Sequence, residues 1–374
     1  MKDNWKYIPF VQSIKKIPKQ PNVKSKDYLP VGMYPIVSQE SDLISGYSND
    51  VSLLYQHDKP VVVFGDHTKN VKYVDFDFVT GADGTHILLP IEELDSKFYY
   101  YFLRSIKLRD LGYARHLKLL KEIDVPIPPI SEQQRIARYL DESFAKIDAL
   151  KANAEKSLAD AKALFQAELK KAMEPKEGWE EKKLGEVADI KGGKRVPKGY
   201  KLQSEPTLHK YIRVADFNDC GSVDLSDIQY ISDDVFEQIK RYTISTEDVY
   251  ISIAGTIGKS GIIPEELEGA NLTENACKLV LDKNLDKRFV YYFTQSNLFK
   301  KQIDILTKKS AQPKLALTRL AIVELAYPSL SEQQSIVTHL DTLSAKVTQL
   351  QQNLEKTKTE CDAMKQALLK QIFE

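Results

Sequence analysis

Residues 128–174 of this 374-residue chain are repeated, without a gap, at residues 328–374, and 20 of the 47 aligned positions are identical. Such a duplication constrains the fold more than any composition figure. It divides the chain into two segments of similar length, each followed by the same element. Each copy opens Ser-Glu-Gln-Gln, at Ser131–Gln134 and Ser331–Gln334. Both then agree at Ile136/Ile336, Leu140/Leu340, Asp141/Asp341, Leu150/Leu350 and Leu169/Leu369.

The repeated stretch reads as one long helix. Ser131 and Ser331 are placed as N-caps, with Gln134 and Gln334 three residues on as capping-box partners. Pro126, Pro128 and Pro129, and later Pro328, hold the approaches extended, and neither helix interior contains Pro or Gly. In the second copy Ile336, Leu340, Leu343, Val347, Leu350, Leu354, Cys361, Met364 and Leu368 follow the spacing of a coiled-coil seam, interrupted at Thr357. The first copy carries Ile136, Leu140, Ile147, Leu150, Ala154, Ala161 and Leu164 in that register. Its smaller residues against the bulkier second set predict that the two helices pack on each other. Each would be about 60 Å long at 1.5 Å per residue.

The predicted order is a globular domain over 1–130, a helical spacer over 131–174, a second domain over 175–330 and a second spacer over 331–374. The second domain opens at Trp179 after the helix-stopping Glu174-Pro-Lys-Glu-Gly178. Within both, β-branched and aromatic runs such as Pro60–Phe64 alternate with Gly, Asp and Pro, which predicts mixed α/β folds. The two segments share little beyond Lys97–Ser105 and Arg288–Ser296, expected to be equivalent helices burying Phe98 and Phe289.

Lys+Arg and Asp+Glu both total 53, so the simplest nucleic-acid signature, a strongly basic domain, is absent. Any nucleic-acid binding must be local. No apolar run approaches the ~18 residues of a membrane span. The opening Met1-Lys-Asp-Asn-Trp5 has no signal-like apolar stretch. Three scattered cysteines (Cys220, Cys277, Cys361) suit a reducing cytoplasm better than a disulfide framework. The expectation is a cytoplasmic protein with no membrane partner. Catalytic signatures fail one by one. Gly255-Thr-Ile-Gly-Lys-Ser260 would need a glycine where Ile253 stands to form a phosphate loop. His57, His67, His86, His116, His209 and His339 show no paired metal-ligand spacing, and there is no G-x-S-x-G elbow or G-x-G-x-x-G turn. Neither catalysis, cofactor nor metal is expected in this chain.

Basic loops remain. In the first segment these are the polar turn Asp66-His67-Thr68-Lys69 after the apolar run, and Gly112-Tyr-Ala-Arg115-His116-Leu-Lys118 just before the helix. In the second they are Lys191-Gly-Gly-Lys194-Arg195-Val-Pro-Lys198 and Lys308-Lys-Ser310-Ala-Gln312-Pro-Lys314. Lys and Arg engage phosphates, and Arg, Gln and His donate to base edges in the major groove. Each loop alone also suits a solvated surface. Together they place a cationic loop at the same distance before each helix.

These features resemble the specificity subunit of type I restriction–modification systems over the whole chain. The Ser-Glu-Gln-Gln-x-Ile…Leu-Asp start of each helix is the most specific motif, and Trp179…Leu184-Gly-Glu186 is typical too. The first domain departs from that opening with Trp5-Lys-Tyr-Ile-Pro-Phe10. Asp66–Thr68 with Tyr113–His116 resembles one kind of target recognition domain, and Ile253–Lys259, including Thr256 and Lys259, with Gln312–Lys314 resembles another. The resemblance implies two α/β recognition domains joined by two long antiparallel coiled-coil helices in a pseudo-twofold repeat. It implies a non-catalytic subunit of an adenine-specific DNA methyltransferase and endonuclease complex, reading a bipartite site in double-stranded DNA. Two methyltransferase subunits and restriction (helicase-nuclease) subunits would be its partners, with S-adenosylmethionine, ATP and Mg on them. Glu132, Gln133, Gln134, Glu332, Gln333 and Gln334 are then expected at the partner surface. The recognition subunit of a type IIB-like system, or a coiled-coil protein-interaction scaffold, fits the same pattern.

Overall fold

A computed structural model of the chain describes residues 5–109, 112, 115–307 and 314–374. It contains two compact units, and the division falls inside the repeated helices. One unit takes residues 1–155 and 353–374, the other residues 156–352. Each therefore holds one globular segment, the first part of one long helix and the last part of the other.

In unit 1 the chain runs through β1 (Lys6–Pro9), β2 (Ile14–Lys15), β3 (Tyr34–Val37), β4 (Gly46–Ser48), β5 (Leu54–Tyr55), β6 (Val61–Gly65), β7 (Val71–Val74), β8 (Phe78–Thr80) and β9 (Thr85–Pro90). Helices α1 (Ser96–Ser105) and α2 (Leu117–Leu120), strand β10 (Asp124–Ile127) and the long α3 (Ile130–Met173) follow. Two four-stranded sheets form, β2-β9-β6-β7 and β4-β3-β8-β5. The apolar run becomes β6, buried on both faces. Val61 and Val63 join Val37, Tyr55 and Phe78, while Val62 and Phe64 join Phe98, Phe102 and the long helices. Alternation along one strand thus feeds two cores.

Unit 2 repeats the plan with larger insertions: β11 (Glu180–Lys183), α4 (Leu184–Val187), β12 (Ala188–Gly192), β13 (His209–Ile212), β14 (Gln229–Ile231), α5 (Asp233–Ile239), β15 (Val249–Ser252), β16 (Ser260–Gly261), β17 (Asn271–Leu272) and β18 (Ala276–Leu281). Next come α6 (Lys287–Gln295), α7 (Asn297–Thr307), α8 (Leu317–Leu320), β19 (Glu324–Tyr327) and the long α9 (Leu330–Phe373). Its sheets are β12-β18-β15-β16 and β14-β13-β17. Strand β15 divides its side chains in the same way, Val249 and Ile251 to one core and Tyr250 to another.

The short shared motif forms α1 and α6. Asp95 caps α1 by accepting the Lys97 and Phe98 N–H groups, and Asp286 caps α6 through those of Arg288 and Phe289. Phe98 and Phe289 are fully buried. Trp5 and Trp179 pack edge-on against them at ring separations of 6.1 and 6.2 Å, so the two openings are structurally equivalent although their sequences differ.

Both long helices start two residues earlier than the expected caps at Ser131 and Ser331 imply. Pro129 and Ser329 stand at the caps: the Pro129 carbonyl accepts from Glu132 and Gln133, and the Ser329 carbonyl from Gln333. Ser131 and Ser331 lie inside the helix, exposed with Gln134 and Gln334. In unit 1 the start of α3 (Ile136, Leu140, Phe144) packs with the end of α9 (Leu368, Leu369, Phe373). In unit 2 the end of α3 (Phe165, Leu169, Met173) packs with the start of α9 (Ile336, Val337, Leu340). Start meets end in both units, so the helices are antiparallel. The expected seam needs correction: Leu150, Leu164 and Met364 are more than half exposed. The inward stripe of α3 runs instead through Leu140, Phe144, Ile147 and Leu158, all buried, and half-buried Phe165. Among the described residues no helix is long and apolar enough to cross a membrane.

Candidate nucleic-acid interface

Strands β6 and β15 end in loops built on one backbone pattern. Gly65 closes β6 opposite Thr85, and Ser252 closes β15 opposite Ala276. The next residue in unit 1, Asp66, donates its N–H to the Gly84 carbonyl (2.8 Å) and accepts on its own carbonyl the His116 N–H (2.9 Å). In unit 2 Ile253 donates to the Asn275 carbonyl and accepts from the Leu315 N–H, both at 2.8 Å. Asp66, His86 and His116 therefore correspond to Ile253, Cys277 and Leu315. By the same register Arg115 corresponds to Lys314. Both are exposed, and each immediately precedes the residue that ties its loop to the sheet.

In unit 1 the Asp66–Lys69 turn and Arg115–His116 come together around one carboxylate. The Asp66 side chain accepts the Leu117 N–H at 2.7 Å and lies 3.2 Å from His86 Nε2 and 3.9 Å from Arg115 Nε. Burial alone would push this carboxyl up, but the Leu117 N–H and His86 hold it below the usual carboxylate range. His116 Nδ1 contacts the Asp66 carbonyl at 2.8 Å. Asp66 and His116, expected among the DNA-contacting groups, are buried supports here, 2% and 0% exposed. The exposed groups of this edge are Thr68, Arg115 and Lys118, with His67 and Lys69 half-buried. Lys69 turns back with a left-handed φ of 60°. Gln39, which sequence reasoning missed, clamps the turn: its carbonyl accepts from Thr68 Oγ1 and Asn70 Nδ2, and its side-chain oxygen from the His67 N–H. A lone glutamine in a loop carries no periodic signal.

In unit 2 the separate basic loops converge on the segment 272–276. Gly193 and Lys194 donate their N–H groups to the Ala276 and Leu272 carbonyls, at 2.9 and 2.8 Å. Gly193 approaches so closely that a Cβ would lie 2.1 Å from the Thr273 carbonyl oxygen, so no other residue fits. Ala254 bridges to Lys314, which brings the Thr256–Lys259 loop to the same edge. Lys194, Arg195, Lys198, Thr256 and Lys314 are exposed. Several cations are held by acids: Lys191 by Asp189 (2.7 Å), Arg195 by Glu274 (2.5 Å) and Lys259 by Asp219 (2.9 Å). Such surface pairs are worth only about 0–1 kcal/mol, so a phosphate can displace the acid. Ser310 and Gln312 lie outside the described residues.

The paired glutamines of the helix motif are a second correction. Gln133 accepts the Asp95 N–H (2.8 Å) and donates to the Glu93 and Pro128 carbonyls (both 2.8 Å). Gln333 does the same with Asp286, Asn284 and Pro328, at 2.8, 2.8 and 2.9 Å. Both are fully buried and hold the globular segment to its helix, so they are not partner-facing. Glu332, Gln134 and Gln334 are exposed, and Glu132 is partly covered beside Arg135.

A family model described as the type I restriction modification DNA specificity domain matches residues 3–158 and 176–358. The chain is 24% identical over 322 residues to the type I restriction enzyme EcoBI specificity subunit of Escherichia coli, covering 75% of this chain and 66% of that one. It is 24% identical over 247 residues to the MjaVIII specificity subunit of Methanocaldococcus jannaschii, covering 60% and 56%. Both matches span less than two thirds of the relative's length. The EcoR124I/EcoR124II specificity subunit of Escherichia coli is 26% identical over 87% of this chain and 84% of its own. Among solved structures, a chain from work on complex assembly and conformational transition of the type I R-M system superposes with a TM-score of 0.76 at 19% identity, covering 100% of this chain and 98% of that one. The HsdS subunit from Thermoanaerobacter tengcongensis gives 0.58 at 19% identity, over 99% and 97%. With the family model matching most of its length, this chain belongs to the type I restriction–modification DNA specificity family.

Proposed function

We propose that the chain is the sequence-reading subunit of a type I restriction–modification complex, recognising two unlike half-sites in duplex DNA separated by a spacer of fixed length and any sequence. One observation carries this reading: the same backbone frame ends in Arg115 beside a polar, His-rich turn in one unit and in Lys314 beside a Gly- and Lys-rich loop in the other. Equal frames with unlike loop chemistry suit unlike base sequences. The long helices set the spacer, and their exposed faces near Glu132 and Glu332 dock two methyltransferase subunits. Restriction subunits join through these, and S-adenosylmethionine, ATP and Mg act on the partners. The cytoplasm, where DNA and partners meet, is the site of action.

The test is methylation-site sequencing in cells carrying the complete system. Replacing residues 180–325 with the matching segment of a relative should change one half-site and leave the other. A swap that changes both half-sites, or neither, overturns the reading.

A further inference from the structure

In unit 1 the segment Lys16–Lys24 leaves the sheet edge with Lys16, Lys19 and Lys24 exposed. The site so far assigns it nothing. Its place can be fixed against unit 2. Lys15 pairs with Leu89 across β2 and β9, and Asp189 pairs with Val280 across β12 and β18. Strands β9 and β18 correspond through Thr85 and Ala276, so Lys15 matches Asp189. Both chains then return to the same spot. Val23 donates its N–H to the Thr80 carbonyl (3.0 Å) and Lys194 to the Leu272 carbonyl (2.8 Å). Thr80 and Leu272 themselves correspond, each lying beside a parallel partner, Val37 or Ile212. Residues 16–22 thus take the place of residues 190–193, the stretch that opens the basic loop Lys191–Lys198.

The strap also borders the edge already described. It is separated from the Asp83–Ile87 turn by a cleft of about 220 Å³, lined by Lys19, Gln20, Asn22, Thr80, Asp83 and His86 among others. Thr80 is 2% exposed and its hydroxyl finds no partner there among the described residues. Arg115 reaches Asp83 at 3.9 Å on the same rim. The cleft beneath the strap mixes these polar groups with Ile17, Pro18 and Ile87, and among the described residues the ammonium groups of Lys16, Lys19 and Lys24 are not used to hold the fold. By contrast, Lys15 at its root is paired with Glu92.

We infer that Lys16–Lys24 is a phosphate-contacting strap of the first domain, the counterpart of residues 190–195 in the second, gripping the DNA backbone beside the half-site that Arg115 faces. This rests on the DNA-reading function proposed above. Three exposed ammoniums on a nine-residue segment form a small cationic edge without a basic domain, which is what a neutral chain needs.

The full subunit assembled with its methyltransferase partner is titrated onto a duplex carrying the site mapped by methylation sequencing, at several salt concentrations. The variant K16A/K19A/K24A should reduce the salt slope by about three and, through that slope, weaken binding by roughly 10²–10³-fold at about 0.1 M salt. The mapped sequence should stay unchanged, because phosphate contacts carry no base information. These lysines are exposed, so the thermal midpoint should match that of the unmodified chain. A salt slope and affinity equal to the unmodified complex overturn the strap alone. Absence of sequence-dependent binding by the unmodified complex removes the DNA reading itself, and the strap with it.

Discussion

At the end of β6 the chain turns on Asp66, and at the end of β15 on Ile253. Both residues make the same two backbone hydrogen bonds, but their surroundings differ as sets. Asp66 sits with His86 and His116 and takes the Leu117 N–H. Ile253 sits with Cys277 and Leu315 in an apolar core. Burial pushes the Cys277 thiol up to about 12, so it behaves as a small apolar side chain. The frame accepts a buried polar network or a buried apolar cluster, provided each is complete. What it should not accept is a mixture, since a partly satisfied buried network is worse than either. This freedom lets one duplicated scaffold present two chemically unlike loops.

The sharpest way to break that comparison is to exchange one member only. Ile253→Asp puts a carboxylate where no histidine waits, and should destabilise the chain by about 3–5 kcal/mol in urea unfolding. Asp66→Ala should cost less, about 1–3 kcal/mol, by stranding the Leu117 N–H. The pH sign is fixed as well. The Asp66 carboxyl titrates below its ordinary value, so its contribution is present above about pH 4 and is lost as pH falls through the lower folded value. Asp66→Ala should remove that acid-side loss. An Ile253→Asp chain as stable as the parent would mean that the two buried sets are not equivalent.

Where the units agree, they should fail alike. Gln133 and Gln333 each make three hydrogen bonds to backbone in the same bracket, so Gln133→Ala and Gln333→Ala should each cost about 3 kcal/mol. Unequal losses in differential scanning calorimetry would show that the bracket matters to one unit more. These glutamines also mark the limit of the sequence. The duplication, both long helices, the buried Phe98 and Phe289 and a cationic loop ahead of each long helix were legible, because periodicity and offset report them directly, whereas the match of Arg115 to Lys314 needed the sheet register. A polar motif repeated identically does not say whether it faces solvent or core. Burial of Gln133 depends on Glu93 and Asp95 arriving from about forty residues away, and no local pattern encodes that approach. The support role of Asp66 and His116 was hidden for the same reason.

At the edge proposed to face DNA the comparison sharpens into a difference of kind. Arg115→Ala should cost about 1–3 kcal/mol in binding and relax one position of one half-site, as removal of a base-reading guanidinium does. Lys314→Ala, a point charge at the matching position, should weaken all sequences evenly and lower the salt slope by about one. If Lys314→Ala relaxes a base position of the other half-site instead, the two loops read DNA by the same means.

The smallest expected effect concerns the helices. The apolar letters of the first copy suggest a seam through Leu150 and Leu164, but an alanine-rich helix places small apolar residues on every face, so those letters alone do not fix the buried face. The large side chains fix it. In unit 1 Phe144 packs on Tyr101 at 5.3 Å with Lys365 over its ring at 5.3 Å. In unit 2 the corresponding residues are Ser344 and Phe165, and it is Phe165 that approaches Tyr292, at 6.2 Å. One aromatic ring fills the space in each unit, but it comes from the globular segment's own following helix in unit 1 and from the other long helix in unit 2. Leu150 serves neither arrangement and is 55% exposed. Leu150→Ala should therefore change stability by less than about 0.5 kcal/mol, with fully buried Leu140→Ala as the destabilised control. A loss at Leu150 comparable to that at Leu140 would restore the seam read from the apolar letters and displace the one chosen by Phe144 and Phe165.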